Sequence, residues 1–134
     1  MNNLIKKIEI IGVYREGMEK DDSFPAAYRL PFKLSEVPDS LWAEIFEHVY
    51  RINIYSSMKR RAYVSGDKIV VFITDSDDIQ HQADIIKRAV EDTNNEVDRI
   101  NAQILGEKER EREKEEKEKE TLEGLKNKTD KIKF

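Results

Sequence analysis

The longest helical signal in the chain follows the polar stretch "TDSDD" (residues 74–78) and meets neither proline nor glycine before Gly106. Inside it, eight residues follow one another by alternating steps of four and three: Ile79, Ala83, Ile86, Val90, Thr93, Val97, Ile100 and Ile104. We call these eight positions the heptad row. Such a row predicts one continuous helix with a face that another element must cover. It constrains the fold more than any other stretch.

The width of the apolar face changes along this helix. Between Ile79 and Val90 the row is broadened by Ile85 and Ala89, which is typical of a helix lying on a sheet. From Thr93 to Ile104 only the narrow row remains. A narrow row suits a single partner helix.

The expected dimensions favour a projecting second half. A helix over residues 77–105 is roughly 43 Å long at 1.5 Å per residue, whereas a compact body of some 75 residues has a radius of gyration of roughly 11 to 12 Å. We therefore predict a homodimer, or a coiled coil with another helical protein. The predicted pairing residues are Val90, Thr93, Val97, Ile100, Ile104 and Leu105. The alternative is a bend near Asn94 and Asn95 that folds the second half back onto the body.

Upstream of this helix, short β-type segments surround one amphipathic helix. "KKIEIIGVYREG" predicts a strand over about residues 7–15, and "YRLPFKLS" alternates as a second strand. Pro31 cannot donate to a strand ladder, so we expect the second strand to lie at a sheet edge or to carry a bulge there. "SEVPDSLWAEIFEHVYRI" predicts a helix whose apolar stripe includes Trp42 and Phe46, as core residues. "RRAYVSGDKIVVFIT" predicts a hairpin.

The resulting order is ββαββα, an α+β fold in which a small antiparallel sheet is covered on one face by helices. We expect three regions. Residues 1–92 form the α+β body including the first part of the last helix, residues 93–106 form the projecting coiled-coil segment, and residues 107–134 form a charged extension and C-terminal tail. Asp75 or Ser76 is the predicted cap of the long helix.

The charged extension begins with fourteen consecutive charged residues, 107–120. Opposite charges occupy 8 of 11 pairs spaced by three residues but only 4 of 10 pairs spaced by four, which supports a helix weakly. The run can therefore extend a helix already formed upstream, or fray from Gly106 onward. The tail, "TLEGLKNKTDKIKF", is either a disordered end or a short docking peptide on a charged spacer.

One cluster has the composition of a phosphate or nucleic-acid site. Basic and aromatic residues alternate in "YRINIYSSMKRRAY", and we define the basic patch by five of them: Arg51, Tyr55, Lys59, Arg60 and Arg61. Cations can bind phosphate and tyrosine rings can stack on bases. The net charge of −4 argues against a protein dedicated to nucleic acid.

No motif in the sequence points to catalysis. There is no cysteine, and none of the common nucleotide-binding, hydrolase or zinc-protease motifs occurs. We expect a cytoplasmic, non-enzymatic interaction or adaptor protein with no cofactor, no membrane contact and no small-molecule substrate. The second hypothesis is a nucleic-acid-binding accessory module that uses the basic patch. A small enzyme with an unrecognised site is the third.

Overall fold

The computed structural model of the protein describes residues 4–134; residues 1–3, which belong to the predicted body, lie outside the described residues. The strands are β1 (Ile10–Val13), β2 (Glu19–Asp21), β3 (Ala27–Leu34), β4 (Ala62–Ser65) and β5 (Lys68–Ile73). The helices are α1 (Ser40–Ile52) and α2 (Ile79–Thr129). The predicted α+β class and the long last helix are confirmed. β2 is an additional strand that the predicted order does not contain.

The five strands form one antiparallel sheet in the order β1-β3-β5-β4, and β2 pairs with β3 beside β1. Val13 lies opposite Phe32, and Glu19 lies opposite Arg29. β1 and β2 therefore share one side of β3, separated by a short 3-10 turn over Arg15–Gly17. The predicted hairpin is the β4–β5 pair, and its turn uses Gly66 at a φ of 58°.

Pro31 lies inside the sheet and not on an edge strand, contrary to one of the two predicted alternatives. Its carbonyl oxygen accepts a hydrogen bond from Tyr14 N–H at 2.9 Å, so its missing N–H also falls on the side of β1 and β2. That side is where the 3-10 turn interrupts the neighbouring strand, and β1 also carries an irregularity between Ile10 and Gly12. The proline is tolerated because no strand residue needs its donor there.

The core lies between the sheet and the two helices. Alternate residues of β3 and β5 bury their side chains on this face, and Trp42 and Phe46 of α1 are fully buried, as predicted. The rings of Trp42, Phe46 and Tyr50 stack successively at centroid distances of 5.7 and 5.6 Å. Their spacing of four residues places the three rings along one stripe of α1 and joins the helix to the core.

The opposite face of the sheet has no helix over it. Val70 and Phe72 are nevertheless buried, because side chains lie across them. Tyr63 contacts the Phe72 ring at 5.6 Å between centroids, and the Arg61 guanidinium lies 5.7 Å from the same ring. Long side chains thus provide the second cover of this small sheet.

α2 is continuous for 51 residues, which corresponds to roughly 77 Å. Its cap is Asp78, whose carboxylate accepts from His81 N–H at 3.2 Å; the prediction of Asp75 or Ser76 is wrong. Asp77 has a different role, since its carboxylate accepts from Thr74 N–H at 2.7 Å and from Arg60. The charged run 107–120 is helical and exposed throughout.

Candidate functional site: the heptad row and the basic patch

The heptad row is divided between buried and accessible positions. Val90, Thr93 and Val97 are buried, Val97 completely. Ile100 and Ile104 are half-buried, and Leu105 is 53% exposed. The structure therefore leaves only the last three predicted pairing residues accessible to another chain.

The cover over this part of α2 is the N-terminal segment, residues 4–9, which lies along the helix in an extended conformation. Ile5 and Ile8 are buried in the core cluster that also contains Val90 and Val97. Val97, predicted above as a pairing residue, is therefore covered by this segment of its own chain. The helix has no break at Asn94, so the predicted alternative of a bend does not occur either.

Asn94 binds the backbone of the N-terminal segment. Its side-chain Nδ2 donates to the Ile8 carbonyl at 2.7 Å, and its Oδ1 accepts from Ile8 N–H at 3.2 Å. The same Oδ1 accepts from Trp42 Nε1 at 2.9 Å. One buried amide thus joins three parts of the chain and satisfies polar groups that would otherwise be unpaired in the core.

Asn101 repeats this contact one heptad later. Its Nδ2 donates to the Ile5 carbonyl and its Oδ1 accepts from Ile5 N–H, both at 2.8 Å. Between the two asparagines, Lys7 lies 3.4 Å from the Asp98 carboxylate. Each asparagine amide pairs with both backbone groups of one residue, as a neighbouring strand would. The sequence analysis did not identify this role, although two asparagines seven residues apart beside an apolar row are a visible signal.

The residues of the basic patch line one open cleft of about 510 Å³ between α1 and β4, except for Tyr55. Tyr50, Tyr63 and Glu47 line it as well. The four cations of the patch therefore lie together beside β4, an edge strand of the sheet, while the Tyr55 hydroxyl donates to Asp92 of α2 at 2.9 Å. Burial first, and then this hydrogen bond, raise the pKa of Tyr55 to about 12.

Two of the four cations already have partners inside the chain. Lys59 Nζ donates to the carbonyl oxygens of Tyr50 at 2.5 Å and Asn53 at 2.8 Å, which places its charge at the C-terminal end of α1. The Arg60 guanidinium donates to both carboxylate oxygens of Asp77, at 2.8 and 3.1 Å. These two side chains hold the loop after α1 in place.

Arg51 and Arg61 are the exposed cations of the cleft. Arg51 contacts His48 at 3.2 Å, and Arg61 lies over the Phe72 ring. These two guanidinium groups remain for phosphate. The sequence predicts four cations for this role.

Among residues 4–134, no group of three or more histidine or acidic side chains could hold a metal ion. In the same part of the chain, no helix is long and apolar enough to cross a membrane. Ser56 Oγ and His81 Nε2 lie 2.9 Å apart, and this contact joins the loop after α1 to α2.

Comparison with protein-family models, with curated proteins and with solved structures finds no match to this chain.

Proposed function

We propose that the chain is a non-enzymatic interaction or adaptor protein that pairs through the exposed part of α2, either with a second copy or with another helical protein. The observation that carries this proposal is the length of α2 beyond the body. From Ile104 to Thr129 the helix continues for roughly 38 Å. A helix of this length that stands away from its own domain is suited to a partner and has no role in a packed core.

The pairing residues in this proposal are Ile100, Ile104 and Leu105, with Leu125 on the same row three heptads after Ile104. Leu105 and Leu125 are 53% and 54% exposed. Exposed leucines gain free energy when a second helix removes them from water. The charged run between them allows little apolar contact, so the pairing is of moderate strength.

The test is sedimentation of the full chain with two substitutions among these pairing residues, Ile104→Asp and Leu105→Asp. We expect the wild type to form a dimer at tens of micromolar and the variant to form one only at higher concentration. The matched control is Ala102→Asp with Gln103→Asp, which adds the same charge at exposed neighbouring positions off the row. A wild-type chain that stays strictly monomeric contradicts the homodimer.

The pairing with another protein has its own test. Affinity purification of the full chain from its native host, at moderate salt, should recover a helical protein that the Ile104→Asp, Leu105→Asp variant loses and the control retains. Nuclease treatment of half of the sample shows whether the association depends on nucleic acid.

A second candidate function is binding of nucleic acid in the cleft of the basic patch. It is favoured by the placement of four cations and two tyrosines around one opening. The expected binding is weak and salt-dependent, because only Arg51 and Arg61 are free for phosphate. Arg51→Glu with Arg61→Glu should abolish oligonucleotide binding and leave the oligomeric state unchanged. Binding that does not respond to salt, or to these substitutions, contradicts this function.

A further inference from the structure

A groove of about 330 Å³ lies between β1 and the first part of α2. We call it the β1–α2 groove. Ile10 and Val13 of β1 line one side, and Phe32, Ala83 and Val90 contribute apolar surface. Val13 is 51% exposed. The groove therefore presents apolar side chains to solvent next to a sheet edge, and a bound segment would cover them.

β1 forms the edge of the sheet and has a single neighbour, β3. Tyr14 N–H faces β3, since it donates to Pro31 at 2.9 Å. Peptide groups alternate in direction along a strand, so those of Val13 face away from β3. They are available to the backbone of an extended peptide laid beside the edge.

The rim of the groove is acidic. Three carboxylates, those of Glu9, Asp84 and Glu91, line it together with one ammonium group, that of Lys87. All four side chains belong to exposed residues. The groove thus favours an extended segment that combines apolar side chains with positive charge.

The chain itself contains such a segment. Residues 126–134, "KNKTDKIKF", carry four lysines against one aspartate, and they end in an alternation of lysine with Ile132 and Phe134. α2 ends at Thr129, so the last residues are outside the helix. Ile132 and Phe134 are exposed and do not belong to the core cluster.

This segment cannot occupy the groove of its own copy. From Glu91 at the groove to Thr129 the continuous helix extends for roughly 57 Å. The five residues after Thr129 reach at most roughly 18 Å even when fully extended. Any contact between tail and groove must therefore form between two copies.

We propose that the β1–α2 groove of one copy binds residues 126–134 of a second copy, with Ile132 and Phe134 against the apolar surface and the lysines near the acidic rim. When each copy binds the tail of the other, the two long helices lie antiparallel, with a body at each end. This arrangement has two identical contacts and closes as a symmetric dimer. The groove does not include Ile100, Ile104, Leu105 or Leu125, the residues of the proposed pairing, so this inference goes beyond the proposed function.

A labelled peptide tests the contact directly. A fluorescein-labelled peptide of residues 125–134 is titrated with the full chain carrying Ile132→Asp and Phe134→Asp, whose own tail no longer competes. We expect saturable anisotropy that weakens as salt increases, and at least tenfold weaker binding when the chain also carries Asp84→Lys and Glu91→Lys. Glu44→Lys with Glu47→Lys on the exposed face of α1 is the matched control and should change binding less than twofold.

Absence of binding at millimolar protein, or equal binding to the groove variant, overturns the proposal. Binding of a peptide with Ile132→Asp and Phe134→Asp at the same strength overturns it too, since charge alone then explains the contact. Circular dichroism of each variant checks that the fold is intact.

A disulfide experiment provides a second readout, because the chain has no native cysteine. A Val13→Cys chain mixed with an Ile132→Cys chain should form a cross-linked heterodimer under mild oxidation, and a Leu41→Cys chain should not. Absence of the cross-link contradicts the tail–groove contact. Peptide binding should persist in the Ile104→Asp, Leu105→Asp chain, so the tail–groove contact and the proposed pairing of α2 can fail independently.

Discussion

At the scale of single residues, Asn94 is the most consequential side chain in the molecule. Its buried amide satisfies both backbone groups of Ile8 and the Trp42 indole. Asn94→Ala leaves these groups without partners in the core, and we expect a loss of about 3 kcal/mol in the free energy of unfolding. Urea unfolding followed by fluorescence of Trp42, the only tryptophan, measures it.

The adjacent residue provides the control. Asn95 is exposed, and Asn95→Ala changes the same side-chain type in the same turn of helix. We expect its effect to be below about 0.5 kcal/mol. If the two variants are equally stable, the asparagine bridge has no role in holding the N-terminal segment.

The Arg60–Asp77 pair gives a prediction that depends on pH. Burial favours a higher pKa for Asp77, but the hydrogen bonds from Arg60 and Thr74 outweigh it and hold the pKa below its ordinary value of 3.8. A lowered native pKa contributes stability above about pH 4, and this contribution is lost as the pH falls through the native pKa.

Arg60→Met removes the partner of a carboxylate whose side chain is only 2% exposed. We expect a loss of about 3 kcal/mol at pH 7, and a smaller difference from wild type below pH 4. Urea unfolding at pH 7 and pH 3 measures both values. Arg61→Met, at an exposed position, is the control and should give a smaller loss of unfolding free energy that does not change with pH. If the loss in the Arg60 variant is the same at both pH values, the proposed role of the ion pair is contradicted.

At the scale of elements, the two ends of α2 differ in what stabilises them. The first part packs on the body, whereas 107–120 relies on helix propensity and on ion pairs such as Arg112 with Glu116 at 2.8 Å. Gly106 lies at the junction. Gly106→Ala places a methyl group 3.4 Å from Arg110 Nη1, an ordinary contact, and should stabilise the exposed helix by about 1 kcal/mol.

Amide hydrogen exchange measures this effect as slower exchange over residues 107–120. The same substitution at Gly66 should act in the opposite direction, because a φ of 58° is unfavourable for alanine; there we expect the body to lose about 1 kcal/mol. Unchanged exchange in the Gly106 variant would mean that helix propensity does not limit the exposed part of α2.

The elements also show how far local sequence signals reach. Local patterns predict three elements as strand or helix, because the residues that form each pattern are close in sequence. These patterns are the alternation in β3, the apolar stripe of α1 and the heptad row of α2. β2 could not be predicted, because "EKD" has no apolar alternation and is a strand only by pairing with β3. The segment that covers Val97 could not be predicted either. Ile5 and Asn101 are 96 residues apart, and no local pattern links them.

The same limit applies to the basic patch. Its composition shows that the segment is basic and aromatic. The hydrogen bonds of Lys59 to the α1 carbonyls and of Arg60 to Asp77 depend on tertiary contacts. Composition identifies which side chains are charged. It does not identify which of them remain free.

At the scale of the whole molecule, the shape is a small body with a long rod. A compact chain of 134 residues has a radius of gyration of roughly 14 Å. Small-angle scattering of the monomer should give a larger radius and a maximum dimension of at least about 75 Å. If helix propensity stabilises the exposed part of α2, this maximum dimension should stay the same from low salt to 1 M salt. A maximum dimension near 45 Å would mean that the helix folds back.

The docking of the N-terminal segment by Asn94 and Asn101 has a consequence for folding kinetics. Contacts separated by 86 and 96 residues close late, because a large loop must be ordered first. Until that step, we expect the heptad row from Thr93 to Ile104 to be exposed to solvent during refolding. Contact between two partly folded copies then competes with docking of the N-terminal segment for the same apolar surface. Higher protein concentration favours the contact between copies.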